Sequence, residues 1–264
     1  MKVNGLSRCR LGEMLAIAAI AATFCAGNAS AQTQSSLDGV WRIEKPLAVL
    51  RTLQGEAPPL TTEAAKKYRE NLAARARHDV SYDSASWCAA VGMPRIMLID
   101  YPFQIMVRPQ YVGFFHEWNW WGRIVYLDGA LSDTPLPPPG PPPGLADSPG
   151  APPPPMAAAG DTPGPMGLSK GEWEGDTLVV ETAHLANSKL LDNSGLPYSG
   201  ALKVIERIRM TGPDTFEDRI KFDDPTTFTR PWETVVTYRR QSGEVIKEDV
   251  CLDRIKSGEP AVKE

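Results

Sequence analysis

The chain has 264 residues, 42% of them hydrophobic and 23% charged, with 28 Lys and Arg against 32 Asp and Glu. That is a globular composition with a slight acidic excess and no basic run, which excludes a partner bound through a phosphate backbone: nucleic acid would repel such a chain at long range. The length allows one large domain or two small ones.

The N-terminus has the layout of a secretory leader. Lys2, Arg8 and Arg10 form a basic start, Met14 to Ala26 an apolar run, and Ala29-Ser30-Ala31 a small-residue cleavage site. Cleavage after Ala31 makes residues 1–31 a signal peptide and 32–264 the mature chain, with a formal charge of 25 − 31 = −6 once Lys2, Arg8, Arg10 and Glu13 are gone. The run is too short for a transmembrane anchor, so no membrane span is expected in the mature form, and the destination is the periplasm or the exterior. Cys9 and Cys25 leave with the leader. Two cysteines in an oxidising compartment, Cys88 and Cys251, read as one structural disulfide.

Next comes one helix. Thr61 is a suitable N-cap, Glu63 sits in the first turn, and Ala64 to Arg77 is rich in helix formers. Its apolar positions are mostly Ala with Tyr68 and Leu72, which fits a lid across one end of a domain or a plain surface helix. The rest reads as short β-favouring runs: Leu37–Ile43, Ile96–Asp100, Gln104–Arg108, Val112–Glu117, Arg123–Leu127, Leu168–Trp173, Thr177–Thr182, Leu202–Met210, Thr215–Phe222, Thr234–Arg240 and Glu244–Val250. Glu174-Gly175-Asp176, Thr211-Gly212-Pro213-Asp214 and Ser242-Gly243 mark tight reversals. Many short strands with such turns predict a mainly β protein, a sandwich or an up-and-down barrel.

Pro135 to Pro165 holds fourteen of the 25 prolines. Proline lacks an amide donor and fixes φ, so the stretch is neither a central strand nor a helix. Strand-like runs lie on both sides and the two cysteines straddle it, so it reads as a disordered insertion at about 131–167 in one domain. A proline-rich ligand for a partner's aromatic groove is the alternative.

Gly39-Val40-Trp41 resembles the glycine-x-tryptophan that opens the first strand of lipocalin-like (calycin) barrels, where the indole closes one end against an arginine. From Gly167-Leu-Ser-Lys-Gly-Glu-Trp-Glu-Gly-Asp-Thr-Leu-Val-Val-Glu-Thr182 through Glu206-Arg207, Asp224-Pro225, Thr229-Arg230-Pro231-Trp232 and Asp249-Val250-Cys251, with Arg123 to Gly129 and Cys88 upstream, the chain also looks like a family of uncharacterised secreted bacterial proteins. That resemblance implies export, a β-barrel and a disulfide. It departs from the family in the proline-rich segment and in Glu172, where an arginine is usual.

Strand alternation sorts the faces. Glu206 shares one with Leu202, Val204, Ile208 and Met210; Asp218 lies among Phe216, Ile220 and Phe222; Glu248 falls between Ile246 and Val250. Arg240 shares a face with Val236 and Tyr238, and Glu117 with Phe115. Buried carboxylates must be paired, hydrogen-bonded or protonated. One reading is a ligand cavity in which Arg240 or Arg123 holds a polar group and Glu206 or Glu248 moves a proton, with Phe115, Trp118, Trp173 and Tyr238 beside it. The other is an interior ion-pair network. Phe114 to Trp121 forms an aromatic cluster in which adjacent Trp120 and Trp121 cannot both point inward, so one is exposed or the strand bulges.

Metal and nucleophile signals are weak. His78, His116 and His184 lie in separate segments without zinc-site spacing. Gly167-Leu-Ser169-Lys-Gly171 matches the glycine-x-serine-x-glycine pattern, yet a nucleophile elbow needs a strand before the serine and a helix after it, and here a hairpin follows. No cofactor is implied. The readings left are a barrel binding a small hydrophobic or aromatic molecule, a cofactor-free isomerase, cyclase, lyase or hydrolase, and a non-catalytic envelope protein.

Overall fold

The computed structural model describes residues 36–127, 164–186 and 190–262; the leader and the bulk of the proline-rich stretch lie outside them. Nine strands close into one barrel in chain order: β1 Gly39–Ile43, β2 Phe103–Val107, β3 Tyr111–His116, β4 Gly122–Leu127, β5 Leu168–Glu174, β6 Thr177–Ala183, β7 Lys203–Gly212, β8 Thr215–Asp223 and β9 Trp232–Arg240. β9 pairs antiparallel with β1, setting Trp41 opposite Arg240. The expected mainly β, barrel-forming character holds, and its closure agrees with a calycin-like barrel. A lipocalin has eight strands, however, and this barrel has nine.

The odd number has a topological cost. If every consecutive pair were antiparallel, β9 would run the same way as β1 and their closure would be parallel. Because that closure is antiparallel, one pair elsewhere must be parallel, and it is β4–β5, with Val125 opposite Ser169 and Leu127 opposite Gly171. Antiparallel neighbours need only a hairpin, whereas a parallel pair needs a crossover of roughly a dozen residues or more. Residues 128–163 make that connection. The proline-rich segment therefore sits at the one junction where a tight turn is geometrically forbidden.

Nine of the eleven expected strands form, and the two that do not fail for physical reasons. Ile96–Asp100 is instead a 3-10 turn at Arg95–Met97 followed by a loop, with Ile96, Met97, Leu98 and Ile99 all buried. A run that is apolar on every side suits a plug better than a half-buried strand, and the Met97 carbonyl accepts the Tyr238 hydroxyl at 3.0 Å. Glu244–Val250 is irregular and mostly exposed. After β9 joins β1 the barrel has no free edge to extend, so the chain leaves at Gln241, whose amide donates to the Val40 carbonyl at 2.8 Å. It then crosses the outer face of β1 and β2 as a strap and ends in a short helix, α2 (Cys251–Lys256).

The expected helix is α1 (Thr62–Ala76), with the Thr61 hydroxyl accepting the Ala64 amide at 3.3 Å. Its docking is polar: Asn71 Nδ2 donates to the Gly195 carbonyl at 2.7 Å, Arg75 to the Asn193 carbonyl at 3.1 Å, and the Tyr68 and Ser194 hydroxyls meet at 2.6 Å. Buried Asp192 organises that loop by accepting from the amides of Leu50, Ser194 and Leu196 and from the Ser194 hydroxyl. Buried Arg95 ties it to the plug, donating to Asn193 Oδ1 at 2.8 Å and pairing with Asp83 at 2.8 Å. Cys88 and Cys251 are bonded, with Cα atoms 5.6 Å apart across 163 residues of sequence, and the bridge fastens the strap to the segment before the plug.

Candidate functional site

The barrel interior contains a charged centre held by the consecutive strands β4 to β7. On β4 the inward positions are Arg123, Val125 and Leu127; on β5 and β6 the neighbouring inward positions include Ser169, Gly171 and Thr182. Small side chains there leave room for a guanidinium to cross the interior. Gly171 is required by packing, since a Cβ would come within 2.6 Å of a Val125 methyl. Arg123 donates from Nε to the Ser169 hydroxyl at 3.0 Å, from Nη2 to the Thr182 hydroxyl at 2.8 Å, and from Nη1 to Glu206 Oε1 at 2.9 Å, while Nη2 also bonds Glu206 Oε2. Ser169 is thus a buried arginine partner within a strand, not a nucleophile at an elbow. Arg123 is 2% exposed and Glu206 0%. Two charges so deep are tolerated because the pairing is bidentate and the remaining donors meet hydroxyls.

Asp218 is the unusual member. It is wholly buried on β8, diagonal to Glu206 across the β7–β8 pair, and its carboxyl lies against that of Glu206. The polar group it faces is the Glu206 carboxylate, and two carboxyls in contact must share a proton. Burial first, and the Glu206 charge second, push Asp218 well above the usual carboxylate range, with Arg123 opposing. The arrangement is an Arg123–Glu206 ion pair with a protonated Asp218 leaning on it.

Aromatic rings line the adjoining interior. Phe216 stacks on Tyr238 at 4.6 Å and meets Trp41 edge-on at 4.7 Å; Phe103 contacts Tyr238 at 5.5 Å and His116 at 5.2 Å. His116 is buried with Nε2 unpartnered, and desolvation, helped by the Arg123 charge, pulls it down to about 3. It is a neutral imidazole at any ordinary pH. Burial also raises the Tyr238 phenol well above its usual value, so it stays protonated and donates to Met97.

The residues expected at a site separate into two groups. Glu206, Arg123 and Tyr238 are drawn together in the interior, and Trp173 lies half-buried on the inner face of β5. Arg240 instead caps one end: its guanidinium lies 4.2 Å from the Trp41 ring centroid, donates to the carbonyls of Asp38 and Ser36, and sits 3.3 Å from Asp214. A Cβ on Gly39 would strike it at 2.5 Å, so the Gly-x-Trp opening and the arginine form one closure, as the calycin resemblance implies. Glu248 is exposed on the strap and is not inward-facing, because no strand forms there. Phe115 and Glu117 are also not inward: β3 turns Val112, Phe114 and His116 to the core, the Phe115 ring covers Gly113 from outside, and Glu117 accepts the Lys247 amide at 2.8 Å. Trp118 is buried at the start of a 3-10 turn, donating to the Ala261 carbonyl at 2.8 Å, while Trp120 is exposed. Sequence reasoning missed His116, although its alternation with Phe114 and Val112 carried the signal.

A surface cleft of about 560 Å³ lies between the strap and β1–β2, lined by Val40, Gln104, Gln241 and Ile246 among others. Among the described residues no His, Cys, Asp and Glu cluster has a metal-binding arrangement, and no helix is long and apolar enough to cross a membrane. Compared with protein-family models, curated proteins and solved structures, the chain finds no match. The resemblance to secreted bacterial proteins accordingly rests on the residues quoted for it.

Proposed function

We propose that this chain is an exported β-barrel protein, periplasmic or secreted, that binds a small apolar or aromatic molecule inside the barrel beside the Arg123–Glu206–Asp218 centre. The observation that carries the reading is buried His116, with Nε2 unpartnered, set among aromatic rings near the Glu206–Asp218 carboxyls. Native interiors rarely leave such groups unsatisfied, and a ligand's polar end is a natural partner for them. Export rests on the leader pattern and the Cys88–Cys251 bridge. Arg123 occupies both oxygens of Glu206, which favours binding over proton transfer by that residue. Access would come by loosening the α1 end, which is held by hydrogen bonds from Tyr68, Asn71 and Arg75 and buries only small apolar side chains beside Tyr68.

The test is a thermal-shift screen of the oxidised mature chain against small aromatic and alicyclic alcohols, amides and amines, repeated on Phe216→Ala. A ligand stabilises by mass action, by about 2.7 kcal/mol at a hundredfold excess over its Kd. Compounds that stabilise the parent and not the variant are expected. A screen in which none does so removes the proposal.

A further inference from the structure

We propose that the chain pairs with a second copy of itself through an exposed apolar patch around the Cys88–Cys251 bridge, an association separate from anything held inside the barrel.

Three links assemble the patch. The bridge sets Trp87 beside Cys251; the Cys251 amide donates to Asn119 Oδ1 at 3.3 Å, and the Asn119 amide donates to Asp249 Oδ2 at 2.8 Å, which brings Trp120 to the same place. Val250 and Leu252 flank Cys251, and Ile255 follows Leu252 at the three-residue spacing that shares a helix face. From these links and the spacing of successive Cα atoms, all five residues lie within roughly 12 Å of Cys251. Trp87 is 69% exposed and Trp120 55%, and with Val250, Leu252 and Ile255 they make up five of the eleven large apolar side chains exposed among the described residues, both exposed tryptophans included.

The backbone imposes this exposure. Asn119 and Trp120 lie at positive φ, 50° and 56°. Asparagine tolerates the left-handed region, but a residue as bulky as tryptophan is an outlier there. Trp118 is anchored inward through its bond to the Ala261 carbonyl, Trp121 packs half-buried against the core, and the strained turn between them holds Trp120 out. Strained backbone of this kind clusters at functional positions.

Area and charge make a second copy the occupant. With side-chain areas of roughly 150–250 Å², the five residues expose about 500–600 Å² per copy, so a symmetric pair removes about 1,000–1,200 Å² from water, which reaches what a specific interface needs. Tryptophan is also among the side chains that contribute most at the centre of such interfaces. On α2, Asp253 and Lys256 sit beside Leu252 and Ile255, both well exposed and 3.2 Å apart. With the two α2 helices antiparallel across a two-fold axis, Leu252 meets Ile255 and Lys256 meets Asp253 of the second copy, so one face complements itself in charge and in apolarity. Asp253 and exposed Glu248 suit an anionic lipid surface poorly.

Sedimentation equilibrium of the oxidised mature chain at micromolar concentrations tests this, with circular dichroism to verify the folding of each variant. The parent is expected at twice the chain mass, and Trp87→Ser and Leu252→Ser should each raise the dissociation constant at least tenfold. Asp253→Lys and Lys256→Asp should each weaken pairing alone and recover it when mixed, since each supplies the charge the other lacks. A monomeric parent overturns the proposal, whether it stays free, sediments with phosphatidylcholine vesicles, or pairs only after residues 128–163 are replaced by a Gly/Ser linker; the last two results make a lipid surface or the proline-rich segment the occupant. A dimer that Trp87→Ser and Leu252→Ser leave intact, or charge variants that do not recover on mixing, overturns it as well.

Discussion

Asp218→Asn should make the stability of the barrel rise more steeply with pH, because two buried groups oppose each other in the parent. Asp218 is protonated in the folded state well above its unfolded value of 3.8. Above pH 3.8 the unfolded chain has lost this proton and the folded chain keeps it, so stability falls by about 1.4 kcal/mol per pH unit up to the folded pKa. His116 does the opposite: its folded value is about 3 against 6.5 unfolded, so stability rises at the same rate between those limits and is fully present above 6.5. Above pH 4 the two contributions therefore oppose each other. Removing the acid leaves the imidazole unopposed, and Asp218→Asn should gain stability relative to the parent as the pH rises from 4, by about 1.4 kcal/mol per pH unit for as long as the parent's Asp218 stays protonated. The reciprocal variant His116→Gln should lose stability across the same window. Guanidinium unfolding followed by tryptophan fluorescence at half-unit pH steps measures all three curves. If parent and Asp218→Asn run parallel from pH 4 to 8, Asp218 is not the protonated partner of Glu206 and the account of the charged centre is wrong.

Further outcomes follow from the scaffold. Replacing both Cys88 and Cys251 by serine opens a loop spanning 163 residues and should lower stability by about 4 kcal/mol in chemical denaturation, less if the reduced chain retains structure. Arg123→Met strands Glu206 without its partner and should cost about 3–5 kcal/mol, whereas Arg123→Met combined with Glu206→Leu should recover most of that loss, both read from denaturation midpoints. Replacing residues 128–163 by a four-residue turn should abolish the cooperative unfolding transition, since β4 and β5 are parallel, while a Gly/Ser linker of about twenty residues should preserve it.

Much of the fold was readable because the strands alternate. In β7, β8 and β9 apolar residues alternate along the strand, and the carboxyls that interrupt that pattern, Glu206 and Asp218, stand out as inward acids in the sequence itself. The pattern misled where it had to compete with closure. Ile246, Glu248 and Val250 alternate like a strand, yet the β9–β1 pairing leaves them no edge to join. Face assignment failed on β3 for a different reason: Phe114 and Phe115 make both faces apolar, so alternation puts His116 with Phe114 but does not say which face turns inward. Arg123 meets Glu206 with β5 and β6 between their strands, and such a contact has no local signature. The parallel seam follows only from an odd-stranded barrel that closes antiparallel through β9 and β1, and that closure has no local signature in the sequence.

The five residues of β1 also protect the molecule from its neighbours. They are separated from β2 by about sixty positions and from β9 by about two hundred, so β1 is the strand whose pairing closes the largest loops. Until it docks, β2 and β9 each present an open row of amides and carbonyls, the arrangement that templates pairing with another chain. Gly39, Trp41 and the Arg240 cap therefore serve as a guard against aggregation during folding, and a defect there should reveal itself as loss of soluble yield before it is seen in the finished barrel.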